Sequence, residues 1–383
     1  MKSIIPTIFL FTFFNCNSQD LEFGRKMVDT LSSPSFWGRG YTKEGMTKAG
    51  IFLSAKFTEF DLLPMGGKTF HQPYSYPVNT FPGKMMLTIN KTILSPGKDF
   101  IVGGESKAIS ASGKLQQIDS VTFIDKRNSV IIKIVNKLTM DVSQETADYS
   151  IIKVLKESIP NDPISYKTNI ETKFLKNFNA TNICGMIKGT AVTDSFIVIT
   201  AHYDHLGGLG ADTYFPGAND NASGVALLLN LARYYSKHPQ RYSIGFILFA
   251  GEEAGLVGSK YFTENPLIPL EKIRFLINTD LAGTGIDGIT VVNASEFPQE
   301  FEWLQKVNSE NQLLKAVNSR GKAANSDHYF FTELGVPSFF FYTLGGIQFY
   351  HDIFDRSETL PLNEHEDLFK LLIGFNEKLM GLN

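Results

Sequence analysis

Beyond residue 182 the chain alternates between two apolar patterns. FIVITA (196–201), SIGFILFA (243–250), IRFLINT (273–279), ITVVN (289–293) and PSFFFY (337–342) are short continuous apolar runs, the mark of strands buried on both faces. Between and after them lie helical stretches. Ala222 to Tyr235 is apolar almost all round, as a helix pressed onto a sheet should be; Gly255 to Phe262, Glu300 to Val307, Ser326 to Leu334 and Leu362 to Met380 follow. This alternation predicts an α/β fold with a mostly parallel sheet sandwiched by helices. In such sheets ligands gather at the carboxyl ends of the strands.

The first half reads differently. A helical pattern runs roughly from Gly45 to Phe60, preceded by Phe36-Trp37-Gly38-Arg39-Gly40 and closed by Leu62-Leu63-Pro64. From about residue 80 the runs become short and β-like, split by Pro, Gly and Asn: Met85–Ile89, Phe100–Gly103, Val121–Ile124, Val130–Val135 and Tyr149–Val154. Asn161-Asp162-Pro163 signals a loop. The expected partition is a signal over 1–19, an N-terminal helical segment over 20–79, a small β-rich insert over 80–171 with no chemical constellation of its own, and a catalytic α/β domain over 172–383. Neither internal repeats nor low-complexity tracts interrupt it.

The signal rests on Lys2 followed by the apolar run Ile4 to Phe14, too short to span a bilayer. The protein is therefore expected to be exported: periplasmic, extracellular, or membrane-anchored as a lipoprotein through Cys16, although Asn15 stands where a small residue is usual. Of the two cysteines, only Cys184 would remain free after processing or lipidation, so no intramolecular disulfide is available. Any metal must then be held by His, Asp and Glu. A net charge of −3 over 383 residues gives no reason to expect a nucleic-acid partner.

Chemistry-bearing residues sit where the predicted strands run out: His202 and Asp204 in TAHYDHLG, Asp220 in GANDNASG, Glu252 and Glu253 in FAGEEAG, Asp280 in INTDLAG, and His351 in FYHDIFD. In an extended chain His202 and Asp204 face one side, so the carboxylate can accept the second ring N–H of the imidazole and fix its tautomer. Asp220 is equally a helix N-cap and a carboxylate aimed from the strand-end crevice. Glu252 and Glu253 would repel each other if both were desolvated without a cation; with a metal, one can ligate while the other handles protons. Asp220, Glu253 and Asp280 bring three negative charges, and a bridging hydroxide a fourth, which balances two divalent ions. Imidazoles mixed with carboxylates suit zinc, with cobalt or manganese as substitutes. A two-metal site of this kind is hydrolytic.

With these motifs in view, the stretch from Asn182 to His351 resembles the di-zinc aminopeptidase family, which also contains glutamate carboxypeptidases and glutaminyl cyclases. The resemblance is carried by AHYDHLG, GANDNASGVA, GEEAGLVGS, NTDLAG, SDHYFF and YHDIFD. It implies a doubly wound sheet with helices on both faces. By motif, it implies that Asp220 bridges two zinc ions, that His202 and Asp280 complete one site, and that Glu253 and His351 complete the other. It further implies that Glu252 is the general base, that Asp204 orients His202, and that a cis peptide follows Asp220. Ser326-Asp327-His328 matches a motif near the pocket, and Gly38-Arg39 to Pro64 resembles the helix that docks on the catalytic domain in many bacterial members. The 80–171 insert sits where many members carry a protease-associated domain.

The expected activity is thus removal of N-terminal residues from peptides, and Phe339, Phe340, Phe341, Tyr342, Phe349 and Tyr350 suggest an apolar side-chain pocket, a role core packing would explain equally well. A glutaminyl cyclase would use one zinc. A carboxypeptidase for acidic tails would show Arg and Lys around the pocket, and no such cluster lies near the motifs. A non-catalytic relative would have lost ligands or Glu252, and all are present.

Overall fold

The computed structural model describes residues 19–159 and 161–381. Residues 1–18 of the expected signal, with Cys16, lie outside the described residues. A nine-stranded sheet is built from β1 (Leu63–Pro64), β2 (His71–Thr80), β3 (Lys173–Ile187), β4 (Val192–His202), β5 (Tyr242–Phe249), β6 (Ile273–Thr279), β7 (Ile289–Val292), β8 (Val317–Ser319) and β9 (Ser338–Thr343). Their order is β1-β3-β5-β4-β6-β9-β7-β8, with β2 also paired to β3. The centre is parallel, as the apolar runs predict: β4 pairs in parallel with β5 and β6, and β6 with β9. The flanks are antiparallel at β3–β5 and β7–β9, which makes the sheet mixed as a whole.

Side chains divide between the faces with the period of two that strands impose. Ile197, Ile199 and Ala201 of β4 enter a large core with Phe246, Leu248 and Ile277, whereas Phe196 and Val198 face a smaller one with Ile247, Phe249 and Leu276. The larger core is closed by α1 (Gln19–Leu31), α2 (Gly45–Glu59), α3 (Gly224–Lys237), α5 (Pro298–Asn311) and α7 (His365–Leu379). The smaller is closed by α4 (Val257–Glu264) and α6 (His328–Glu333), through Phe262 and Phe331. Helices thus cover both faces. Among the described residues, no helix is long and apolar enough to cross a membrane.

Part of the segment expected to be helical, 20–79, instead adds β1 and β2 to the sheet edge. Burial alternates along β2, with Tyr74, Tyr76 and Val78 inside. Pro73 and Pro77 hide that alternation in the sequence. The sheet tolerates them because β2 is an edge strand and Pro77 falls at an irregularity in its register with β3. Residues 85–170 form a four-stranded and a five-stranded sheet around a core of their own, including Leu87, Phe100, Ile132, Ile152 and Val154. Leu206, Leu209 and Phe215, from the loop beyond β4, are buried in that same core.

Candidate metal centre

Strand register brings the site together. Thr200 of β4 lies opposite Asn278 of β6, so His202 and Asp280, each two residues further on, leave the sheet side by side. His202 also lies opposite Phe249, the end of β5, from which Glu252 and Glu253 follow. Asp220 comes from the turn before α3, and the Asp220–Asn221 peptide bond is cis. His351 comes from the loop after β9 and has a left-handed φ of 57°.

Asp220 is shared between two clusters. His202 Nε2 lies 3.4 Å from Asp220 Oδ1 and 3.3 Å from Asp280 Oδ1. His351 Nε2 lies 3.3 Å from Asp220 Oδ2 and 3.0 Å from Glu253 Oε2. Two atoms ligating one zinc at 2.0–2.1 Å in a tetrahedron are roughly 3.3 Å apart. All four separations fall near that edge length, and each oxygen of Asp220 serves a different histidine. His202 Nε2 and Asp280 Oδ1 are buried without hydrogen-bond partners. The donor set therefore fits divalent cations.

Hydrogen bonds to backbone groups hold the candidate ligands. His351 Nδ1–H donates to the Met140 carbonyl at 2.7 Å, leaving Nε2 for the centre, and Met140 N–H donates back to the His351 carbonyl at 3.2 Å. The ring of Tyr350 stacks on His351 with centroids 3.8 Å apart. Nδ1 of His202 lies 3.2 Å from the backbone oxygen of Asp204, closer than the 3.7 Å to its carboxylate. That carboxylate accepts instead from Glu252 N–H at 3.1 Å and Glu253 N–H at 3.3 Å, fixing the turn that carries both glutamates. Asp355 accepts from Asn219 N–H at 2.8 Å and Asp220 N–H at 3.0 Å.

Arg39 is fully buried, and its guanidinium donates to five carbonyls: Tyr203 at 2.8 Å, Leu31 at 3.0 Å, Pro216 at 2.8 Å, Gly217 at 2.8 Å and Asp220 at 3.0 Å. It thereby ties the N-terminal segment to both the β4 exit and the Asp220 loop. Gly217 is required there: its φ is +58°, and a Cβ would lie 2.2 Å from the Asp220 oxygen.

The electrostatics demand positive charge. Burial opposes protonation of His202 and His351, yet the carboxylates outweigh it. Asp280 and Glu252 hold His202 well above the usual histidine range, and Glu253 and Asp220 lift His351 to about 11. Burial, reinforced by Glu253, Asp327 and Asp280 against the attraction of His202, pushes Glu252 well above the usual carboxylate range. Burial also raises Asp327 to about 7 and Asp355 to about 6, and lowers Arg39 to about 10. Divalent cations relieve this crowding directly.

All seven residues singled out in the sequence lie in this crevice. His202 lies against Asp220 and Asp280, and His351 against Asp220 and Glu253, with His205 also grouped beside Asp220 and Glu253. Glu252 places a carboxylate oxygen within 4.8 Å of donor atoms of His202 and Asp280. The aromatic cluster divides: Phe339, Phe340 and Phe341 are buried in the fold, while Phe349 and Tyr350 remain near the surface. Sequence reasoning missed His205, Arg39, Asp355 and Met140. His205 lay in view in the same HYDH string, but the period-2 argument selected only His202 and Asp204. The Met140 carbonyl has no sequence signal at all.

Comparison with known proteins agrees with this architecture. The chain is 26% identical over 252 residues to aminopeptidase YwaD of Bacillus subtilis (strain 168), an alignment covering 63% of this chain and 54% of that protein. It thus spans about half the length of that relative. Its fold is similar to that of a zinc aminopeptidase from Bacillus subtilis, with a TM-score of 0.69 at 17% identity, covering 93% of this chain and 94% of the other. A peptidase M28 precursor from Shewanella amazonensis SB2B gives a TM-score of 0.71 at 15% identity over 94% and 93% of the two chains. Residues 182–375 match peptidase family M28, a span that holds both clusters, and the chain belongs to that family.

Proposed function

We propose that this protein is an exported aminopeptidase that uses two zinc ions to remove N-terminal residues from peptides. The observation that carries the reading is the sharing of Asp220: its two oxygens face different histidines at 3.4 and 3.3 Å, near the spacing of two ligands on one ion. His202, Asp220 and Asp280 would hold one ion, and Asp220, Glu253 and His351 the other. When bound, the ions lower the pKa of a water molecule and polarise the scissile carbonyl; cobalt or manganese could replace zinc.

Glu252 is the proton carrier. It stands beside the His202 cluster on a turn pinned by Asp204, and its surroundings favour proton uptake. It accepts the proton of the attacking water and delivers it to the amine nitrogen as the peptide C–N bond breaks. The water oxygen ends on the carbonyl carbon. Asp204 acts through backbone, holding the Glu252–Glu253 turn with its carboxylate. That similar proteins are aminopeptidases favours an N-terminal rather than a C-terminal cut. Export rests on the basic-then-apolar start of the sequence.

The test pairs metal analysis of the purified protein with a panel of aminoacyl fluorogenic substrates. Two equivalents of metal and release from at least one aminoacyl substrate are expected. A di-metal protein that hydrolyses none of them refutes the reading. So does a protein holding one ion that cyclises N-terminal glutamine.

A further inference from the structure

His205 is fully buried beside the centre, one residue beyond Asp204. Its Nδ1 lies 2.6 Å from Glu253 Oε1 and 3.8 Å from Asp220 Oδ1. The first distance decides between two roles. Ligands sharing one zinc are roughly 3.3 Å apart, as the four pairs above nearly are. At 2.6 Å the pair is well short of that tetrahedral edge and within hydrogen-bond range, the geometry of a charge-assisted hydrogen bond with Nδ1–H donating. The other oxygen, Oε2, is the one that faces His351 Nε2 at 3.0 Å.

We infer that His205 is the positioning residue of the Glu253 site: it occupies Oε1 and so presents Oε2 alone, in one orientation, to the ion shared with His351 and Asp220. The inference rests on the two-ion reading. Without His205 the Glu253 carboxylate could rotate about its terminal torsion, which is broad and easily turned. The donor is itself held in place. His205 N–H donates to the Arg39 carbonyl at 3.3 Å, and the imidazole packs so closely on Gly217 that a Cβ there would meet its Cδ2 at 2.4 Å. Its ring stands edge-on to His351, with centroids 5.8 Å apart. Arg39 secures Gly217 through its carbonyl, so one buried cation fixes both the backbone and the packing surface of His205. A partner that orients a ligand typically changes metal affinity about 10- to 100-fold when removed.

Full-length apo protein is titrated with zinc in wild type, His205→Ala and His205→Asn, with folding checked by circular dichroism. Asparagine carries an N–H close to the position of Nδ1, whereas alanine carries none. We expect two binding steps in wild type. In His205→Ala one step should weaken about 10- to 100-fold while the other stays within a few-fold. His205→Asn should recover most of the lost affinity. If the alanine protein does not fold, His205→Phe, which keeps a ring but no donor, takes its place. Equal weakening of both steps, no weakening of either, or equal loss in the asparagine and alanine proteins overturns the inference; the last would make His205 a ligand. A wild type that binds fewer than two ions overturns the two-ion reading itself, and this inference with it.

Discussion

Arg39 offers the sharpest test of how the N-terminal segment supports the centre. Arg39→Met keeps a long apolar stem but removes every donor. Five buried carbonyls then lose this donor, among them that of Asp220 in the loop that carries the shared carboxylate, while that of Gly217 keeps Ala222 N–H at 3.2 Å. An unsatisfied buried acceptor costs about 1–3 kcal/mol, so the naive sum is large. Two effects reduce it: the desolvation cost of the guanidinium disappears, and water or small backbone shifts re-satisfy some carbonyls. What remains should resemble the breaking of a buried charged network, about 3–5 kcal/mol. The assay is urea unfolding of the metal-free protein by linear extrapolation, read by fluorescence. Arg39→Lys, with its N–H groups on one atom, cannot reach five divergent carbonyls and should recover only a minor part of the loss. A Met variant within 1 kcal/mol of wild type, with an unchanged denaturant slope, would show that these carbonyls do not need Arg39 and refute the argument.

Two further outcomes follow from the geometry. Glu252→Gln should keep both metal equivalents while aminopeptidase turnover falls about 10²- to 10⁴-fold, checked by metal analysis beside steady-state kinetics; near-native turnover would remove Glu252 from the proton path. His328, buried beside Phe340, has its pKa pulled down by burial from 6.5 to about 4. The unfolded chain binds that proton below about pH 6.5 while the folded one refuses it until about pH 4, so this contribution to stability is present above 6.5 and lost as pH falls through the window. The loss amounts to about 3 kcal/mol at 1.36 kcal/mol per pH unit. Denaturation of the metal-free protein at pH 7 and pH 4 should therefore show a shallower acid loss in His328→Gln than in wild type, and equal losses would contradict it.

The α/β core was legible because its central strands are buried on both faces and read as unbroken apolar runs. The candidate metal residues were legible in part because His202, Glu253 and Asp280 stand at or just beyond the ends of such runs, whereas Asp220 opens a helix and His351 lies in a loop beyond the last strand. What the sequence could not supply was register: that Asp280 exits beside His202 depends on the pairing of Thr200 with Asn278. β2 was missed because Pro73 and Pro77 mask its alternation, and only its place at the sheet edge makes them acceptable. Arg39, Asp355 and Met140 escaped for a common reason. Their contributions run to or from backbone atoms, which every residue possesses and no residue type advertises. Asp204 illustrates the same point, since its carboxylate serves two backbone N–H groups more closely than it serves His202.

The pair of hydrogen bonds joining Met140 to His351 changes what the β-rich insert is. By its own core it looks like an accessory module, the kind a protein engineer would trim or exchange. Yet it supplies the acceptor that sets which nitrogen of His351 faces the centre, and it shelters Leu206 and Leu209 from the strand exit that carries His202. A truncation starting at residue 172 would leave a chain with the candidate ligands written in its sequence but with one of them untethered. The smallest heritable unit of this centre is therefore discontinuous, and grafting it onto another scaffold means transplanting the insert as well.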